Sequence, residues 1–160
     1  MCWAISNRGE GGTGRGKRFS VRGFDYQTRW RRLYGHPMHK YRSLAAWQSA
    51  HKLCIMVLKT TDRTKIPRTW AVFDQMRRAA VSVEVNIVEG YAFGTSPGFR
   101  RHLRIAFGSA AEVEALVNIA AEMEYIQPEQ TAELGALVDR TLGTVLGLLR
   151  SPGLTTRRMR

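Results

Sequence analysis

The stretch "RRAAVSVEVNIVEG", residues 77 to 90, limits the fold more than any other part of the chain. It lies inside a helical pattern predicted from about Trp70 to Tyr91. At about 100° per residue, Phe73, Met76, Ala80, Val83 and Ile87 line one apolar face. Val81, Val85 and Val88 line a second, roughly opposite. Between them runs a polar stripe of Gln75, Arg78, Ser82, Asn86 and Glu89. A helix with two apolar faces needs two packing partners, one the core of its own domain and the other a further helix or another subunit. The stripe is then partly desolvated, and its members must bond one another or a neighbouring helix.

The flanking sequence supplies three more helices. Ser43 is predicted to cap a helix from about Leu44 to Thr60, with Leu44, Trp47, His51, Cys54 and Leu58 on its inner face. After the break "GTSPG", Ser96 and Pro97 open a third helix. Phe99, Leu103, Ala106, Ala110, Val113, Val117 and Ala120 form its inner face. After "YIQPEQ", Pro128 opens a fourth, facing inward with Leu134, Val138, Thr141, Val145 and Leu148 and ending at Pro152 and Gly153. Connections are mostly short and no strand pattern occurs. The expected fold is all-α, an up-down antiparallel four-helix bundle over residues 41–151. A chain of 160 residues has room for such a core.

Residues 1–40 show no period, and "EGGTGRGKR" favours disorder. This basic extension carries nine Lys/Arg against two Asp/Glu, more than half of a net charge of +12. Residues 152–160 form a second basic tail. Two readings stay open for the extension. One is a disordered arm that binds RNA, with Tyr26, Trp30 and Tyr34 free to stack on bases. The other is that translation starts natively at Met38. "GGTGRGK" has phosphate-loop spacing, but Arg18 stands where Ser or Thr must hold magnesium, and no strand precedes it.

Cys2 and Cys54 form no disulfide framework or metal spacing, and a reducing cytoplasm is the default. His36, His39, His51 and His102 show no ligand spacing. No apolar run reaches 18 residues, so neither a membrane span nor a membrane partner is expected. With no acidic metal cluster and no complete phosphate loop, neither catalysis nor a cofactor is expected.

Arg100, Arg101 and Arg104 lie in "FRRHLR", read as the first turn of the third helix, where cations oppose the macrodipole. A phosphate would relieve them; the competing reading is a solvated turn with acids from another helix. Of Arg77 and Arg78, one is expected to pair with Glu89 or Glu112 on a facing helix and the other to be exposed. The expected nucleic-acid contacts are Arg77, Arg100, Arg101 and Arg104. The expected structural polar network is Arg78, Ser82, Asn86, Glu89, Ser109 and Glu112.

"YRSLAAWQSAHKL" and the run from Gln75 to Ile126, with its blocks "RRAAVSVEVNIVEG" and "IAFGSAAEVE", carry a resemblance. They resemble the four-helix bundle family encoded in 23S ribosomal RNA intervening sequences, over about Tyr41 to Leu149. By position, Arg77, Arg78, Ser82, Asn86, Glu89 and Gly90 fall on the first block. Gly108, Ser109, Glu112 and Glu114 fall on the second. Glu84 departs from a frequent proline, and Val85 and Val88 from common alanines. The resemblance implies a homo-oligomer, often a pentamer. Relatives also serve as accessory proteins of reverse transcriptases in diversity-generating retroelements, binding nucleic acid and the polymerase. The expected function is a non-enzymatic bundle that binds RNA or DNA on a basic surface. The alternative is a protein-interaction scaffold or reverse-transcriptase accessory subunit without nucleic-acid binding of its own.

Overall fold

A computed structural model describes residues 40–62, 67–93 and 96–151. The expectations for residues 1–39 and 152–160 lie outside the described residues. Four long helices make up the domain: α1 (Ala45–Asp62), α2 (Trp70–Ala92), α3 (Ser96–Glu122) and α4 (Pro128–Arg150). Short 3-10 turns, Lys40–Ser43 and Pro67–Thr69, precede α1 and α2, and the described residues contain no strand.

Each helix packs on its neighbours in sequence, and α1 closes the ring against α4. Cross-helix bonds show the relative directions. His51 meets Glu84 and Thr61 meets Arg77, so numbers fall along α2 as they rise along α1. Gln75 with Glu112, Ser82 with Ser109 and Asn86 with His102 repeat the pattern for α2 and α3. This is the order antiparallel neighbours produce.

The core forms two stacked clusters. One gathers Leu53, Val57, Phe73, Met76, Val113, Val117, Leu134 and Val138 near the α3–α4 connection. The other gathers Ala46, Ala50, Val83, Ile87, Phe99, Leu103, Ala106 and Val145 toward the opposite end. Every residue read onto the inner face of α3 is buried, as are Phe73, Met76, Ala80, Val83 and Ile87 of α2.

Two local signals govern the α3–α4 connection. Glu124 adopts φ 55°, the left-handed conformation that lets a chain leave a helix. The Tyr125 and Glu124 amides then return to the Ala120 and Ala121 carbonyls, satisfying acceptors at the end of α3. Pro128 stands in the first turn of α4, and the Gln130 side chain accepts a bond from the Gln127 amide just before it.

Helix α1 departs from expectation in two ways. Ser43 does not cap it: its hydroxyl donates back to the Lys40 carbonyl, closing the 3-10 turn. The inner face is also rotated. Ala46, Ala50, Leu53 and Val57 fill the core, whereas Leu44, Trp47 and Leu58 are half-buried and His51 is exposed. Cys54 is buried as expected. Ala46 and Ala50 let the first half of α1 approach its partners closely, Leu53 and Val57 fill the core beyond them, and Leu44, Trp47 and Leu58 serve the rim. There Trp47 stacks on His51 at 5.0 Å, and His51 bonds Glu84 across the seam to α2. Burial, reinforced by the nearby Glu84 charge, pushes the Cys54 thiol up to about 11, so it stays protonated and unreactive at neutral pH.

Candidate nucleic-acid interface

The polar stripe of α2 meets α3 in a continuous hydrogen-bond chain. Ser109 and Ser82 share a bond of 2.9 Å. The Asn86 amide donates to the Ser82 carbonyl and hydroxyl at 2.9 and 3.2 Å. That leaves the Asn86 oxygen as an acceptor, so the His102 Nδ1 that reaches it at 3.0 Å carries the hydrogen. Spacing explains the alignment: Ser82 and Asn86 are one turn apart on α2, and His102 and Ser109 two turns apart on α3. Glu89 lies at the solvent edge of this chain, 3.6 Å from His102, with its side chain 55% exposed.

Gly90 makes the close crossing possible. A Cβ there would lie 2.7 Å from the His102 Cβ and 2.9 Å from the Phe99 ring. The α2 backbone therefore packs directly against α3, and His102 is held between Gly90 and Asn86.

Of the two adjacent arginines Arg78 is exposed, as expected of one of them, but neither pairs with Glu89 or Glu112. Arg77 donates to Asp74 and to the hydroxyl and carbonyl of Thr61, at 2.6, 2.9 and 2.8 Å. It closes the C-terminal end of α1 instead of pairing with Glu89 or Glu112. Arg78 is held by the Gln75 side chain, and Gln75 in turn donates to Glu112. Gln75 thus bridges where a direct ion pair was expected, because Arg78 points outward from the stripe. Arg77 also lies in the opposite half of the bundle from Arg100, Arg101 and Arg104, so these four do not form one patch.

Those three arginines do not sit in a first turn. Helix α3 begins at Ser96, which puts Arg100, Arg101 and Arg104 in its second and third turns. The macrodipole penalty fades within the first turn, so it gives no account of these residues. Arg101 and Arg104 are exposed and Arg100 is partly covered.

Charge is segregated along the bundle. The half around Tyr41, Tyr91 and Phe99 comprises residues 40–51, 84–93, 96–108 and 140–151. It carries seven Lys/Arg (Lys40, Arg42, Arg100, Arg101, Arg104, Arg140 and Arg150) against Glu84 and Glu89. The other half holds five Lys/Arg against nine Asp/Glu, including Glu112, Glu114, Glu122, Glu124, Glu129 and Glu133. The described bundle as a whole is nearly neutral, so most of the +12 comes from residues outside it. Lys40 and Ser151 both lie in the basic half, and both basic tails are covalently attached there.

A family model described as 23S rRNA-intervening sequence protein matches residues 42–146. The chain belongs to this family. Within the intervening-sequence family match fall all four helix cores, the Ser82–Asn86–His102–Ser109 chain and the arginines of α3. No curated protein matches the chain.

His102 and Gln75 are the site residues that sequence reasoning missed. Gln75 was visible in the stripe of α2, whereas nothing local marks His102 as the partner of Asn86. Among the described residues no group of three His, Cys, Asp or Glu side chains is placed to hold a metal, and no helix is long and apolar enough to cross a membrane.

The hydrogen-bond chain makes a sharp distinction between two substitutions. Asn86→Ala should lower stability by about 1–3 kcal/mol, since it strands the His102 Nδ1 hydrogen and the Ser82 hydroxyl loses a donor. Glu89→Ala should cost under about 1 kcal/mol, because an exposed pair contributes little. Urea denaturation of both variants checks the order; equal losses would contradict it.

Proposed function

We propose that this intervening-sequence protein is a homo-oligomeric bundle that binds RNA or DNA through its basic half. The observation that carries the reading is the charge segregation: a bundle close to neutral overall presents seven Lys/Arg against two Glu at the end where both tails attach. Cations concentrated on one surface attract a phosphate backbone and release its counterions, while the acidic half repels it and so orients the complex.

Self-association rests on exposed branched side chains. Val81 and Val85 on α2 are each 42% exposed, and Ile105 and Ile119 on α3 are 42% and 45% exposed. Val85 and Ile105 lie at one level, between the Ser82–Ser109 and Asn86–His102 bonds. Apolar groups grouped in this way favour cover by a further subunit.

The test is binding of labelled RNA by the full chain across a salt series, with light scattering on the same sample. Expected are a mass above 18.1 kDa and affinity that falls steeply with salt. A monomer at micromolar concentration would remove the oligomer; absence of RNA and DNA binding at low salt would leave a protein-interaction scaffold.

A further inference from the structure

Phe93 follows the last residue of α2, and 60% of it is exposed, the largest exposure among the described bulky apolar residues. Its ring stacks on His102, with centroids 5.1 Å apart and planes 26° apart. His102 is itself fixed, bonded to Asn86 and pressed against Gly90. One face of the phenyl ring is therefore backed by an anchored imidazole, and much of the rest meets solvent. Arg101 adjoins His102 in sequence, and Arg104 lies one turn beyond Arg101; both are exposed. Glu89 is the opposing charge here, and its carboxylate is directed at the His102 imidazole.

We propose that Phe93 is a base-stacking residue and that the partner is a single-stranded nucleic acid. An unpaired base lies on the open face of the ring, continuing the Phe93–His102 stack, while Arg101, the neighbour of His102, holds a flanking phosphate. This rests on the nucleic-acid reading above. Bases within a duplex are already stacked on one another, so a ring enters there only at the cost of unstacking a step, whereas an unpaired base meets it without that cost. An aromatic platform beside cations suits single strands of any sequence, because every base has a π-face. Phenylalanine has no side-chain hydrogen-bonding group, so little sequence preference is expected from it.

The test compares the full chain with its Phe93→Ala and Phe93→Trp variants. Fluorescence anisotropy would follow binding to a mixed-sequence single-stranded RNA of about 12 nucleotides and to a duplex of the same length. Phe93→Ala should weaken single-strand binding about tenfold and leave the salt slope unchanged, since stacking releases no counterions. Duplex affinity should be weaker in the parent and unaffected by the change, and Phe93→Trp should retain single-strand affinity. A 5-iodouracil strand irradiated on the parent should crosslink at Phe93. Unchanged single-strand affinity in Phe93→Ala, with the parent still binding, overturns the stacking role and leaves the nucleic-acid reading intact. A parent that binds neither RNA nor DNA overturns both. A lower oligomer mass for Phe93→Ala makes the ring a subunit contact and overturns the stacking role.

Discussion

Gly90→Ala should destabilise the bundle by about 2–3 kcal/mol and lower its melting temperature by about 10 °C. In an open helix the same change would stabilise by about 1 kcal/mol, because alanine is the better helix former. The sign reverses here because the new methyl group meets atoms that cannot give way. The His102 Cβ is fixed to the α3 backbone, and Phe99 is 1% exposed within the core. Relief requires α2 and α3 to separate, which loosens Ile87, Leu103 and the Asn86–His102 bond together. Gly108→Ala is the internal control. A Cβ there meets nothing within 4 Å, so the helix-propensity gain should appear undiminished. Circular dichroism melts and urea titrations read both. A Gly90→Ala variant as stable as the parent would show that the crossing is not limited by that contact.

Replacing Arg100, Arg101 and Arg104 together with Gln should lower the salt slope of single-strand binding by about 2 units. At moderate salt that amounts to roughly a hundredfold loss of affinity, from about 1 kcal/mol or slightly less per contact. Helix content should stay the same, since Gln is a good helix former. No gain in stability is expected either, because the arginines lie beyond the first turn, where the macrodipole acts. Arg77→Gln makes the opposite case. Its guanidinium closes the end of α1 through Thr61, so the change should lower stability and leave the salt slope alone. A triple variant with the parent's slope would mean that these arginines form only a solvated face.

Much of the fold was legible because helical periodicity and backbone chemistry are local. Phe99 to Ala120 recur every three or four residues, which fixes the buried face of α3 wherever its partners stand. Pro97 and Pro128 mark helix starts because proline fits a first turn and disrupts an interior. The stripe on α2 was legible for a similar reason, as polar residues at helical spacing beside apolar ones.

Helix α1 was not legible in the same way. Leu44, Trp47 and Leu58 lie beside a second stripe, Ala46, Ala50, Leu53 and Val57, so two neighbouring faces of the helix are apolar. Hydrophobicity alone does not choose between them; the helix rotation that lets Ala46 and Ala50 pack closely on the neighbouring helices does, and only the assembled bundle sets it.

The sequence by itself therefore determined four helices, their breaks, the inner faces of α2 and α3, that of α4 except for half-buried Leu148, and a surplus of positive charge. These follow from interactions within a few residues of chain. Tertiary structure alone decided that Arg77 closes α1, that His102 completes the Asn86 chain, and that charges scattered along four helices sort into a basic and an acidic half. These join residues on different helices, 16 positions apart for Arg77 with Thr61 and for His102 with Asn86, and elsewhere in the bundle the 2.7 Å contact of Ser49 with Thr144 spans 95. Such partners are chosen by helix register and rotation, which the packing of side-chain volumes fixes and no single helix encodes.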